Sequence, residues 1–204
     1  DGLADAAMTP DGSVIATVSS SDKVQQWNSQ TGASLAESTS LASGITVQAG
    51  EDERRVLFSP SGDQLVGIHT RFPYFGMIRS WKTGSTTPGT LQVDGLRQGV
   101  NSLNSLPDAL KLTGFPEAVI FSNDGNSCLV VSHSAKDLGR DREIQIIKLD
   151  PLSTVFESPI SITEEVTRAV FNHEGTAFLT ASRNNSARIW NSTSGRPNTR
   201  PFEH

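Results

Sequence analysis

Cysteine occurs once in the 204 residues, at Cys128, so an internal disulfide and a cysteine-built zinc site are both excluded. Cys128 lies in the apolar run Cys128-Leu129-Val130-Val131, which predicts a small buried hydrophobe. No apolar run approaches the roughly 20 residues that a membrane-spanning helix needs. No basic-then-apolar opening resembles a secretory leader, although the chain opens mid-pattern. The expected compartment is the cytoplasm, with no membrane partner. Basic residues are outnumbered 17 to 22, for a net charge of -5, and no long basic run occurs. Nucleic-acid binding draws its affinity from phosphate neutralisation, so nucleic acid is not an expected partner.

Catalytic signatures are also missing. There is no Gly-rich phosphate loop, no His-Glu-x-x-His and no Gly-x-Ser-x-Gly. His69, His133, His173 and His204 fall in loops or turns without a second ligand at metal spacing. His69 and His133 begin corresponding segments of neighbouring repeats, and their approach is the one route to a shared metal. Glu164-Glu165 reads as a solvated turn. Asn184-Asn185-Ser186 and Asn191-Ser192-Thr193 fit the glycosylation pattern but fit ordinary turns as well. No catalytic residue, metal or cofactor is expected.

What is present is a repeat. Seventeen Gly and ten Pro punctuate short apolar stretches. Four tetrapeptides share one frame: Thr9-Pro10-Asp11-Gly12, Ser59-Pro60-Ser61-Gly62, Ser122-Asn123-Asp124-Gly125 and Asn172-His173-Glu174-Gly175. An apolar stretch precedes each, as in Arg55-Val56-Leu57-Phe58, and another follows, as in Ala177-Phe178-Leu179-Thr180-Ala181. Strand, tight turn, strand is the reading, with glycine supplying the positive φ that the turn demands. A third strand closes on Trp27-Asn28, Trp81-Lys82, Ile147-Lys148 or Trp190-Asn191, and a polar fourth segment follows Thr31-Gly32, Thr83-Gly84 or Ser194-Gly195. The turn glycines recur at 12, 62, 125 and 175, which makes four units of four strands.

This pattern resembles the WD40 repeat, best over Ala169 to Gly195, where Ala181-Ser182 and Ile189-Trp190-Asn191 fall in register. The resemblance covers the chain except roughly Leu96 to Gly114. It implies an all-β β-propeller of four WD40-type blades, each of four antiparallel strands. The approximate blades are 1–40, 45–95, 115–160 and 165–204, with an insertion at 96–114. The blades form either an arc of a larger ring, whose remaining blades belong to a longer propeller, or a closed four-bladed ring. The family's closing Asp is replaced by Asn28, Lys82, Lys148 and Asn191. The Asp before the third strand appears as Asn184 and as Asp22. The family's buried hydrogen-bond network is therefore incomplete, which shifts the expected support toward apolar packing.

By the same resemblance, loops between second and third strands share one face with loops between blades. All three long insertions fall there: His69 to Gly76, His133 to Arg142, and Leu96 to Gly114. Arg71, Phe72, Tyr74 and Phe75 have the composition of an interface anchor; the alternative is that Phe72 and Phe75 plug their own blade. Arg140 and Arg142 stand in a mixed-charge segment that reads as a solvated tip or as a seat for an acidic or phosphorylated ligand. Leu103, Leu106 and Leu110 suggest a helical turn packed on the ring. The functional expectation is a non-catalytic scaffold that binds proteins or peptides through this face. The alternative is an enzyme or small-ligand propeller with a central pocket.

Overall fold

The computed structural model describes residues 2–41, 52–71, 75–87, 110–112, 114–134, 141–156 and 158–203. Among these residues the chain forms strands and no helix, and the strands gather in chain order into four antiparallel sheets. The first holds β1 (Leu3–Met8), β2 (Val14–Ser19), β3 (Lys23–Asn28) and β4 (Thr39–Ser40). The second holds β5 (Asp52–Phe58), β6 (Gln64–Arg71), β7 (Phe75–Lys82) and β8 (Leu110–Leu112). The third holds β9 (Gly114–Phe121), β10 (Ser127–Ser134) and β11 (Arg142–Leu149), with β12 (Leu152–Thr154) and β13 (Ile160–Ile162) both pairing along β11. The fourth holds β14 (Val166–Phe171), β15 (Ala177–Ser182), β16 (Ser186–Asn191) and β17 (Phe202–Glu203).

The four tetrapeptides are the first hairpin turn of the four sheets, and one chemistry builds them all. Gly12, Gly62, Gly125 and Gly175 adopt φ of 73°, 80°, 71° and 68°, in the left-handed region that side chains disfavour. The first turn residue always carries a side-chain acceptor. Thr9, Ser59, Ser122 and Asn172 take the backbone N–H of Val14, Gln64, Ser127 and Ala177 at 3.0, 3.1, 3.1 and 2.9 Å. That shared bond is why the position alternates only among Thr, Ser and Asn. The turns also stack in series. A Cβ on Gly62 would meet Pro10 at 3.4 Å, and one on Gly125 would meet Ser61 Oγ at 2.9 Å.

Successive sheets pack face to face, and alternation along each strand decides the faces. Ala7, Ala16, Val18 and Val24 of the first sheet meet Val56, Phe58, Leu65 and Trp81 of the second. Leu57, Val66, Ile68 and Ile78 on the reverse of the second meet Val119, Phe121, Cys128, Val130 and Ile147 of the third. Leu129, Val131, Ile144 and Ile146 on the reverse of the third meet Ala169, Phe171, Phe178 and Trp190 of the fourth. Cys128 is buried as expected, and loss of water around it pushes its thiol up to about 12.

One departure explains a break in the Trp pattern. In the first and fourth sheets the indole N–H donates to a threonine on the neighbouring strand: Trp27 to Thr17 at 3.0 Å, Trp190 to Thr180 at 2.9 Å. The second sheet has Gly67 where those sheets have threonine, and Trp81 Nε1 is buried without a partner. Leu41, which follows β4, fills the vacated space. A Cβ on Gly67 would lie 2.7 Å from Leu41 Cδ1 and 2.9 Å from the Trp81 ring. The glycine therefore exchanges a hydrogen bond for an apolar plug between two sheets.

The insertions differ from their sequence reading. Most of His69 to Gly76 is paired strand: His69 to Arg71 belong to β6, Phe75 and Gly76 to β7, and the connection is 72–74 alone. His133, Ser134 and Arg142 are likewise in β10 and β11, not in a loop. The second-sheet hairpin extends because the cross-strand register Arg54–His69–Met77 continues a face buried against the first sheet, and the third-sheet hairpin keeps Ser132, Ser134, Arg142 and Glu143 buried in its added pairs. The third insertion is displaced more. Leu110–Leu112 pairs with β7 as the fourth strand of the second sheet, so 83–109 joins two strands of one sheet rather than two repeats. It leaves β7 at the end opposite 72–74. Leu110 opens a strand instead of closing a helical turn; Leu103 and Leu106 lie outside the described residues.

Candidate functional site

The second and third sheets project beyond their neighbours at one end. Every second strand starts two residues after its turn glycine, but β2 and β15 stop at Ser19 and Ser182 while β6 and β10 continue to Arg71 and Ser134. The extra pairs carry charge. Two clusters stand there, each a carboxylate shared by an arginine and a histidine.

The first cluster spans two sheets. Asp22, in the β2–β3 turn, has φ of 66°, a conformation that Asp tolerates better than most side chains. Its Oδ1 accepts from Arg54 Nε at 2.5 Å and lies 3.3 Å from His69 Nδ1. Arg54 and His69 are cross-strand neighbours on β5 and β6, and the histidine is 1% exposed. Arg79, also buried, donates to the Ser40 carbonyl at 2.6 Å, and Asp5 Oδ2 accepts the Val56 N–H at 3.0 Å. Buried cations are costly unless partnered, so Asp22 fixes how the first two sheets meet. A side-chain clip reinforces this: Gln26 accepts from the Gly84 N–H at 2.8 Å and donates to the Ser85 carbonyl at 3.0 Å.

The second cluster lies within the third sheet and is more open. Glu117 Oε2 accepts from Arg142 Nε at 2.9 Å and lies 3.6 Å from His133 Nε2. Arg142 is buried, whereas Glu117 and His133 are partly exposed. Glu117 reaches this face through a register shift: Val131 pairs with Ala118, but Ser132 pairs with Pro116. Beside it, Ser134 Oγ donates to buried Glu143 at 3.0 Å. A cleft of about 250 Å³ opens next to this cluster, between β9 and β14, lined by Glu117, Val131, Thr167, Arg168 and their neighbours. That volume is below the usual range for a small-molecule pocket, about 300–1,000 Å³.

Of the residues expected from sequence to bind a partner, Arg142 alone has a described side chain. It is a buried partner of Glu117 rather than a solvated tip. Arg71 and Phe75 sit at the ends of β6 and β7, and Phe72, Tyr74 and Arg140 lie outside the described residues. His69 and His133 do not approach each other. His69 lies on the strand face turned to the first sheet, His133 on the face of the Val131 side chain, turned to the fourth. Among the described residues no group of three His, Cys, Asp or Glu is arranged to hold a metal ion. No described helix is long and apolar enough to cross a membrane.

Sequence reasoning missed Arg54, Glu117 and the reach of Asp22. For Glu117 a signal existed: Pro116 cannot donate to a strand ladder, and proline inside a strand marks a bulge. Comparison with protein-family models gives no match, and comparison with curated proteins gives none either.

Proposed function

We propose that the four sheets are WD40-type propeller blades and that the chain is a non-catalytic platform for other proteins or peptides in the cytoplasm. The residues proposed to bind are Arg71, Phe72, Tyr74, Phe75 and Arg140, next in sequence to the projecting strand ends, while Arg142, buried against Glu117, braces them. The observation that carries this reading is the extension of the two middle hairpins beyond their neighbours, braced at the base by Asp22–Arg54–His69 and Glu117–Arg142–His133. A rigid base that presents short connections is how scaffolds concentrate binding residues. The repeat of turn, strand and Trp supports the blade reading.

The test replaces Phe72, Tyr74 and Phe75 together by Ala and compares proteins recovered by affinity capture with those recovered by the parent chain. Loss of specific partners with unchanged circular dichroism supports the reading. Undiminished recovery rejects this end as the anchor. The alternative, a propeller that holds a small ligand, has only the cleft between β9 and β14 beside Glu117 in its favour, and that cleft is smaller than such pockets usually are.

A further inference from the structure

The three interfaces between sheets follow one rule, and the two outermost faces carry its unused halves. Three positions in register form the leading face of each sheet. They are Phe58, Leu65 and Trp81 in the second, Phe121, Cys128 and Ile147 in the third, and Phe171, Phe178 and Trp190 in the fourth. Each set packs on the trailing face of the sheet before it. The trailing face centres on one residue of the second strand, four after the turn glycine: Ala16, Val66 and Leu129, all at 0% exposure.

The first sheet has the same leading set, Met8, Ile15 and Trp27, and Met8 is 58% exposed. The fourth sheet has the same trailing set, Val170, Leu179 and Ile189, and Leu179 is 37% exposed where its three counterparts are fully buried. Phe202, opposite Ala187 on β17, extends that apolar face and is 53% exposed. The stack of turns ends in the same way, since nothing stands within 4 Å of the Cβ position at Gly12.

We propose that a second copy of this chain covers these faces, head to tail, with Met8, Ile15 and Trp27 of one copy seated on Val170, Leu179 and Ile189 of the next. The contact continues the three established interfaces, because one chain carries both complementary halves of a surface it already uses three times. It is heterologous, so it closes into a ring when the rotation allows and otherwise extends. The contact lies away from the projecting end, and its failure is distinguishable from failure of partner capture there.

Sedimentation velocity tests this from low to high micromolar concentration, with the parent chain and two surface variants, Met8→Arg and Leu179→Arg. The parent is expected to shift from 21.9 kDa toward multiples of that mass. Each variant alone stays monomeric, because each lacks one half. An equimolar mixture forms a dimer and nothing larger, since one intact pair of faces remains. A parent that stays monomeric throughout overturns the proposal and leaves these faces to another partner or to other sheets. Self-association of either variant alone also overturns it, because only a face paired with itself would survive that substitution.

Discussion

The first and fourth sheets resemble each other more than either resembles the two between them. Both have three six-residue strands, an indole N–H bonded to threonine, and an asparagine after the Trp. Asn28 Oδ1 accepts the Thr31 N–H at 2.9 Å, and Asn191 Oδ1 accepts the Ser194 N–H at 2.8 Å, which closes the next turn from inside. In the middle sheets lysine replaces that asparagine, glycine and Val130 replace the threonine, and the second and third strands grow to eight residues. These sheets are covered on both faces, and β11 is buried at all but one position. A local polar network holds a sheet that faces water on one side. Where both faces are packed, apolar contact takes over that role and the polar pairs are dispensable.

The strongest way to break this contrast is at the one repeat position that is Leu in both kinds of sheet. Leu129→Ala in the third sheet removes a fully buried side chain, and Leu179→Ala in the fourth removes one at 37% exposure. Denaturant titration is expected to give a loss of about 2–5 kcal/mol for the first. The second is expected to stay within about 1 kcal/mol, provided the protein is dilute enough to be monomeric. Equal losses at the two positions would show that the fourth sheet is as well covered as the third.

A smaller effect sharpens the contrast between the charge clusters. Asp22→Asn leaves Arg54 and His69 without their shared anion across the interface of the first two sheets. The expected cost is about 2 kcal/mol, the order for turning a charge-assisted bond to a largely buried arginine into a neutral one. Glu117→Gln weakens a pair whose carboxylate is 44% exposed, and solvent screening holds the expected cost below about 1 kcal/mol. Chemical denaturation of both variants checks the order. A larger loss for Glu117→Gln would reverse the roles assigned to the clusters.

The turn repeat and the Trp positions made the four sheets legible, because a tight turn needs particular residues at fixed offsets whatever surrounds it. Cys128 was legible from its apolar neighbours. The length of the middle hairpins was not. His69, Arg71 and Arg142 are polar, and polar residues next to Phe72, Pro73 and Tyr74 read as loop. The strand state of His69 and Arg71 depends on a buried register shared with Arg54 and on Asp22 from another sheet, and that of Arg142 on its pairing with His133 and its bond to Glu117, which no local pattern encodes. The strand at Leu110–Leu112 was missed for a similar reason: its partner, β7, ends 28 positions earlier, at Lys82 against Leu110.

The smallest expected effect separates an end turn from a middle one. Asp11 accepts from the Thr9 hydroxyl at 2.6 Å and the Ser13 N–H at 3.0 Å, and these bonds lower its carboxyl to about 2 from an ordinary 3.8. Asp124 is lowered mainly by the Ser122 hydroxyl. A carboxyl more acidic in the folded state than in the unfolded one favours folding when ionised. The contribution is therefore complete above its unfolded value and is lost as pH falls from about 4 toward 2. Asp11→Asn keeps an acceptor but cannot titrate, so its urea midpoint should fall less steeply than the parent's over that window and match it in slope above. Asp124→Asn should flatten the same window. The difference between them lies in what each turn supports, since a Cβ on Gly125 would meet Ser61 and Ser59 whereas nothing stacks on Gly12. Loss of order in the Asp124 turn therefore reaches the second sheet, and backbone NMR shifts at Ser59 and Ser61 should move with its titration. For Asp11 the shifts should reach one neighbouring turn, that of Gly62 against which Pro10 packs, whereas those of Asp124 should reach two, because Asn123 also bonds His173 in the fourth sheet. Identical acid profiles for the parent and Asp11→Asn would show that the exposed turn contributes nothing to acid sensitivity.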